Sequence, residues 1–379
     1  MGFSVAEARY LADHADDIAA VEPEVALTKQ SVFADRALLE RHFGEYARAV
    51  SVCIAARRGA DGKFPAGWLT DADAAQQATP ARVAEVRAGR IAGAGAEFVH
   101  DVTCSIGSEA PAFRERGIAW LGSDLDMARL VMARHNLGTD AWLAQADALA
   151  PVSTGGVVVA DPARRAGGRR ITDPAQLLPP LPDLVAAHAG AELAIKCAPG
   201  IDYSGWDGLV SVVSVGGGVK EACLYTPGLG AGVRREAVVL REGEERVTDR
   251  DPDEVEVTAP RGFIVDPDGA IVRAGLVRNW AARHGLSMLD EHIAYLTGDA
   301  IPAGYSGFPF IEAVPLRSLK KALAAHSAGA VEILVRGVDV DPDQLRKKLK
   351  LRGSTQMAVV IARVGDSAVA HVCGSRVHA

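Results

Sequence analysis

Residues 98–126 constrain the fold more than any other stretch of the chain. Phe98 and Val99 lead a short apolar strand into Asp101. A turn of small residues follows, through Cys104, Ser105, Gly107 and Ser108. Glu109-Ala110-Pro111 then opens a helix predicted to end near Arg116. Residues 118–121 predict a second strand, with Asp124 and Asp126 at its carboxyl end. In a doubly wound sheet, ligands bind outside the carboxyl ends of the strands. Small residues beside a helix N-terminus let a ligand reach the backbone. An acid ending the second strand can accept from both ribose hydroxyls. The stretch therefore predicts an α/β nucleotide-binding unit, and the missing G-x-G-x-x-G argues against NAD.

More elements of such a unit follow. Met127–Leu137 predicts an amphipathic helix, and residues 142–149 a short strand ending near Asp147. Val157-Val-Val-Ala160 is apolar without alternation, as a central parallel strand should be. It ends in Asp161-Pro162-Ala163-Arg164-Arg165, and Arg169 and Arg170 come shortly after. Residues 193–197 predict a fifth strand, in which alternation sends Lys196 and Cys197 to opposite faces. Upstream, residues 1–72 predict helices, interrupted at Pro23 and by a loop at 57–65. In that loop Arg57, Arg58 and Lys63 read as packing residues or as a substrate platform. Thr79-Pro80 predicts an N-cap and first turn.

These motifs resemble class I S-adenosylmethionine-dependent methyltransferases. Asp101-x-x-Cys104-x-x-Gly107, Gly122-x-Asp124-x-Asp126 and Ala128-Arg to Arg134-x-Asn136 match that family's pattern. Ser105 departs from it, standing where the family has its first glycine; positive φ there would cost about 1 kcal/mol. The resemblance implies S-adenosyl-L-methionine as cofactor. It implies contacts from Thr79, Asp101, Cys104, Ser105, Gly107, Asp124, Leu125, Asp147 and Ala148. Thr79 would sit over the methionine end, and Asp147 would accept from the adenine amino group. Asp161, Pro162 and Arg164 hold the position at which the family meets its methyl acceptor. Asp-Pro-Ala-Arg lacks the aromatic of base-nitrogen methyltransferases and is similar to the m5-uridine RNA enzymes. Those enzymes carry a nucleophilic cysteine near the position of Cys197, although a buried cysteine that merely packs is the commoner case.

The C-terminal third resembles a THUMP-like domain appended to a bacterial methyltransferase family. The words that carry this resemblance are Asp266-Pro-Asp, Ala294-Tyr-Leu-Thr297, Arg336-Gly-Val-Asp339 and Leu349-Lys-Leu-Arg-Gly353. The residue pattern of this region reads as helices at 270–280, 316–325 and 342–349, strands at 312–314 and 331–335, and a final hairpin over 357–372. True THUMP domains bind RNA, so RNA is the partner the resemblance implies. Between Ile311 and Gly353, nine basic residues stand against five acidic ones, in a chain of net charge −7. Lys347, Lys348 and Lys350 would meet RNA there, as would Arg165, Arg169 and Arg170 after the fourth strand.

The expected organisation is a helical region at 1–72, a Rossmann-like methyltransferase domain at 73–258 and an α+β THUMP-like domain at 259–379. The expected function is methylation of a base in ribosomal or transfer RNA. The alternatives are a non-catalytic RNA-binding protein with a degenerate cofactor fold, or a methyltransferase of a small molecule or protein. The five cysteines are scattered without a C-x-x-C, so neither a metal site nor a disulfide framework is expected. No apolar run approaches the roughly 18 residues of a membrane span. The acidic start lacks the features of a signal peptide, and a cytoplasmic location is expected.

Overall fold

The computed structural model describes residues 2–60, 62–163, 165–166, 169–170, 173–365 and 367–379, with residues 165, 166, 169 and 170 described by backbone alone. The chain divides into two compact units, Met1–Val210 with Glu221–Gly232, and Ser211–Lys220 with Val233–Ala379.

In the first unit, five parallel strands lie in the order Glu192–Cys197, Val157–Ala160, Phe98–Asp101, Ala119–Asp124, Trp142–Gln145. Residues 222–225 add to the fifth strand antiparallel. The order reverses between the first and fourth strands, where Asp101 lies opposite Val159. That reversal opens the crevice in which open α/β sheets bind ligands. The second strand runs on to Asp124, further than the sequence indicated, because residues 122–124 pair in parallel with Leu143, Ala144 and Gln145 of the third strand. The helix Met127–Leu137 is as predicted, with Asp126 as N-cap accepting from Ala128 N at 2.8 Å.

The amino-terminal helices Val5–Asp13, Val32–Phe43 and Ala47–Gly59 share a core with Ile106, Ala128 and Met132. Two expectations fail here. The helices expected over residues 1–72 are also broken at Gly44, at φ +53°, and Arg57 and Arg58 lie in the last turn of a helix, not in the expected loop. Arg57 donates to the Trp68 and Gly67 carbonyls at 2.7 and 2.9 Å, and Lys63 to those of Ala75 and Gln76 at 2.9 Å. Those contacts make both residues structural.

In the second unit, Glu244–Thr248 folds back on Arg235–Leu240 as an antiparallel hairpin. A separate sheet runs Ser287–Asp290, Ile293–Gly298, Phe263–Val265, Ser306–Pro315, Ser367–Gly374, Thr355–Val364, Ala328–Arg336. The first three of these strands were not anticipated. The helix expected at 270–280 is two, Gly269–Ala274 and Val277–Arg283, because Gly275 adopts φ +76°. Ala328–Arg336 and Thr355–Val364 pair in parallel, joined by the helix Pro342–Leu349. Among the described residues, no helix is long and apolar enough to cross a membrane.

The parallel pair closes on two glycines. A Cβ on Gly353 would run into the carbonyl oxygen of Ser327, and one on Gly329 into the carbonyl of Gly353. Backbone cannot move aside there without breaking the bond from Gly353 N to the Ala328 carbonyl at 3.0 Å. Gly353→Ala should destabilise the second unit by about 1–3 kcal/mol, as overpacking does. Urea unfolding checks this, and an unchanged midpoint would contradict it.

Candidate functional site

A cavity of about 300 Å³ opens at the sheet's reversal, at the small end for ligand pockets. Of the residues singled out from sequence, Thr79, Asp101, Cys104, Ser105, Asp124 and Asp161 line it. Ser105 adopts φ +50° and Gly107 φ +82°, so the turn takes the left-handed conformation that the family's glycines supply. Gly107 has a second constraint, since its Cβ would meet the Leu137 side chain. Ser105 N donates to Asp124 Oδ2 at 2.9 Å, and Arg129 donates to Ser105 Oγ at 2.8 Å.

Gly107, Leu125, Asp147, Ala148 and Pro162 do not line the cavity. Leu125 is 65% exposed beside Asp124. Ala146 N donates to the Asp124 carbonyl at 3.2 Å, which holds the approach to Asp147 against the end of the second strand. Arg164 lies outside the described residues, as do the side chains of Arg165, Arg169 and Arg170. Lys347, Lys348 and Lys350 are exposed in the other unit, at the last turn and C-cap of Pro342–Leu349.

Thr79 corrects a prediction. Pro80, not Thr79, is the N-cap of the helix Ala81–Gly93. The Thr79 hydroxyl instead donates to Glu109 Oε1 at 2.7 Å and accepts from Lys196 Nζ at 2.6 Å. Lys196 Nζ also donates to Asp161 Oδ2 at 2.6 Å. On the far side, Arg87 binds both Glu109 and Glu221. A continuous polar chain thus runs Glu221, Arg87, Glu109, Thr79, Lys196, Asp161. Glu109 and Lys196 line the cavity, and neither was identified as a site residue from sequence. The available signals were a lysine inside an otherwise apolar strand and an acid in the turn after the first strand. Cys197 is fully buried and does not line the cavity, as alternation away from Lys196 requires.

Three acids of the cavity, Asp101, Asp124 and Glu109, do not shift in the same direction. Burial, with Glu109 nearby, pushes the Asp101 carboxyl well above the usual carboxylate range. Burial also raises Asp124, against the opposing N–H groups of Asp126 and Ser105. For Glu109, burial raises but Arg87 and Lys196 outweigh it, holding its carboxyl below the usual range. Glu109 is thus an anion already paired, whereas Asp101 accepts from Thr103 N at 3.2 Å and still resists ionising. Burial drives the Cys104 thiol well above its usual value, which makes it inert. Among the described residues, no cluster of three or more His, Cys, Asp or Glu is arranged for a metal ion.

Removing Arg87 would strand two buried carboxylates. Arg87→Met should therefore cost about 3–5 kcal/mol, the usual loss when one partner of a buried pair is deleted. Urea denaturation measures it, and a loss near that of a surface substitution would contradict the structural role.

The chain is 50% identical over 316 residues to an uncharacterized S-adenosylmethionine-dependent methyltransferase of Mycobacterium tuberculosis, found in two strains; the match covers 80% of this chain and 87% of that protein. Residues 306–375 match the THUMP domain-like family. The crystal structure of a candidate methyltransferase from Porphyromonas gingivalis W83 shares the fold, with a TM-score of 0.67 at 17% identity over 92% of this chain and 99% of that one. The strand-end acids, the left-handed turn and that degree of identity agree: this chain belongs to the S-adenosylmethionine-dependent methyltransferases, and S-adenosylmethionine is its cofactor.

Proposed function

We propose that this methyltransferase acts on a base of structured RNA, ribosomal or transfer RNA. The observation that carries the reading is the THUMP-like match at 306–375, overlapping a basic run in an acidic chain. Exposed Lys347, Lys348 and Lys350 supply phosphate contacts there, joined by Arg165, Arg169 and Arg170. Labour divides along the chain, with chemistry in residues 73–258, RNA affinity in 259–379 and a helical support in 1–72.

The cavity suits a cationic nucleoside. Asp101 takes the ammonium of the methionine end, beside Thr79, Cys104, Ser105 and Gly107. Asp124 takes the ribose hydroxyls, Leu125 and Ala148 pack against the adenine, and Asp147 accepts from its amino group. S-adenosylmethionine supplies a methyl group on a positively charged sulfur. Asp161, with Pro162 and Arg164, orients the acceptor in line, about 3 Å from that methyl. Thr103 Oγ1 accepts from Asp161 N at 2.6 Å and so fixes the backbone from which the carboxylate projects.

Two outcomes follow. Calorimetry with S-adenosylhomocysteine should show binding that Asp124→Ala weakens by about 1.5–3 kcal/mol, the worth of hydrogen bonds to a charged group. The pH dependence has a definite sign. An ammonium beside Asp101 favours its ionised form, and the free protein holds that carboxyl protonated to unusually high pH. Binding should therefore release a proton, and affinity should rise as pH climbs through the raised value. Calorimetry in buffers of differing protonation heat reads the proton directly; uptake would refute the assignment of Asp101.

For RNA, log affinity should fall with log salt, with a slope of about −0.7 per phosphate contact on single strands. Replacing Lys347, Lys348 and Lys350 with glutamate should flatten the slope and weaken binding in filter assays. Cofactor affinity should stay as in the parent. An unaltered slope would move the contacts to the arginines after Asp161.

A further inference from the structure

Lys196 is 4% exposed, yet it lines the cavity at the end of the fifth strand. Three acceptors face its nitrogen: Asp161 Oδ2 and Thr79 Oγ1 at 2.6 Å, and the Gln77 carbonyl at 3.5 Å. Thr79 donates its own proton to Glu109, so its oxygen presents a lone pair to Lys196. Three acceptors ask for three N–H donors, which only the ammonium has. The acceptor end of the cavity therefore carries a buried cation against Asp161, in place of a carboxylate alone.

Leu178 adds a second constraint. Leu178 lines the same cavity and is 56% exposed. Ala163 N donates to the Leu178 carbonyl at 2.7 Å, and Leu178 N to the Ala163 carbonyl at 3.3 Å. The backbone of an apolar residue is thus pinned beside the Asp161-Pro162-Ala163 segment, where the motif itself lacks an aromatic.

We infer that Lys196 selects the methyl acceptor: a ring N–H flanked by a carbonyl, as in uracil or guanine, packed flat against Leu178. The inference rests on the RNA-base reading above. An exocyclic amine gains positive charge as it attacks, and a neighbouring ammonium opposes that. A ring N–H becomes an anion on losing its proton, and the same ammonium stabilises it. The ring N–H gives its proton to the Asp161 carboxylate. The nitrogen's electron pair forms the N–CH₃ bond, and the pair of the broken C–S bond stays on sulfur. Asp161 then passes the proton to water, and Lys196 remains an ammonium throughout.

The test uses the full chain, tritiated S-adenosylmethionine and unmodified transcripts of ribosomal and transfer RNA, with the label located after digestion to nucleosides. The label is expected on a ring nitrogen of uridine or guanosine. Lys196→Met should lower kcat by about 100-fold, the scale of a lost charge-stabilising group. It should leave S-adenosylhomocysteine affinity, read by calorimetry, close to the parent's. The rising limb of its pH–rate profile should move to higher pH, because the bound ring loses the cation that eases its ionisation. Lys196→Arg keeps the charge and should recover part of the rate with the limb near its original place. If Lys196→Met also loses S-adenosylhomocysteine binding, the position of the limb in Lys196→Arg decides. Label on an exocyclic amine, or full rate in Lys196→Met, overturns the inference and leaves the RNA reading standing. Transfer to protein or a small molecule, with none to RNA, overturns both.

Discussion

One buried guanidinium ties the first unit together. Arg87 is 1% exposed on the helix Ala81–Gly93, and its two carboxylate partners come from distant places. Glu109 belongs to the turn after the first strand, and Glu221 to the antiparallel strand beside the fifth. Desolvating three charges is tolerable only while each keeps its partners. Helix, turn and strand are therefore locked in one arrangement. Glu109 then holds Thr79, Thr79 holds Lys196, and Lys196 holds Asp161. The Asp161 carboxylate inherits its position from an ion pair in the core. A side chain held through such a series of partners has its rotamer fixed by hydrogen bonds and packing.

The same network explains why two neighbouring acids behave differently. Glu109 and Asp101 are both buried and both line the cavity. Arg87 neutralises Glu109, and burial with Glu109's charge then makes ionising Asp101 harder. The result is one settled anion and one carboxyl that resists ionising. Pairs of groups pushed apart in this way mark functional positions. Asp124 is an intermediate case, since two backbone N–H groups already support its charge.

What was legible in sequence followed from period and turn chemistry. Four of the five parallel strands are apolar runs ending in Asp or small residues, and those runs mark the carboxyl ends at which the cavity lies, whereas the strand order came only from the pairing. Trp142–Gln145, at the sheet's edge, is the weakest of them and carries an exposed Trp142. The buried charges were not legible, because an arginine on the Ala81–Gly93 pattern reads like any solvated helix residue. Lys196 was seen, and alternation separated it from Cys197. Which of the two faced the cavity depended on the sheet's register. Thr79-Pro80 read as a cap because local chemistry favours one, and the tertiary bond to Glu109 overrode it. In the second unit, Phe263–Val265 and Ser287–Asp290 are too short to stand out, and only pairing defines them.

Ser105 shows how a family departure can be absorbed. Its left-handed backbone costs about 1–2 kcal/mol relative to glycine. Glycine would remove that cost but lose more conformational freedom on folding, which returns part of the difference. The serine also brings a hydroxyl that accepts from Arg129 at 2.8 Å, and Arg129 reaches Asp71, the buried N-cap of Ala72–Gln77, at 3.5 Å. A partly buried bond to a charged donor is worth roughly 1.5–3 kcal/mol, enough to offset the strain. The tether joins the turn after the first strand to the helices upstream of the sheet, a link that glycine cannot make. The turn keeps the left-handed geometry that glycine usually provides, and in exchange for intrinsic freedom it is anchored.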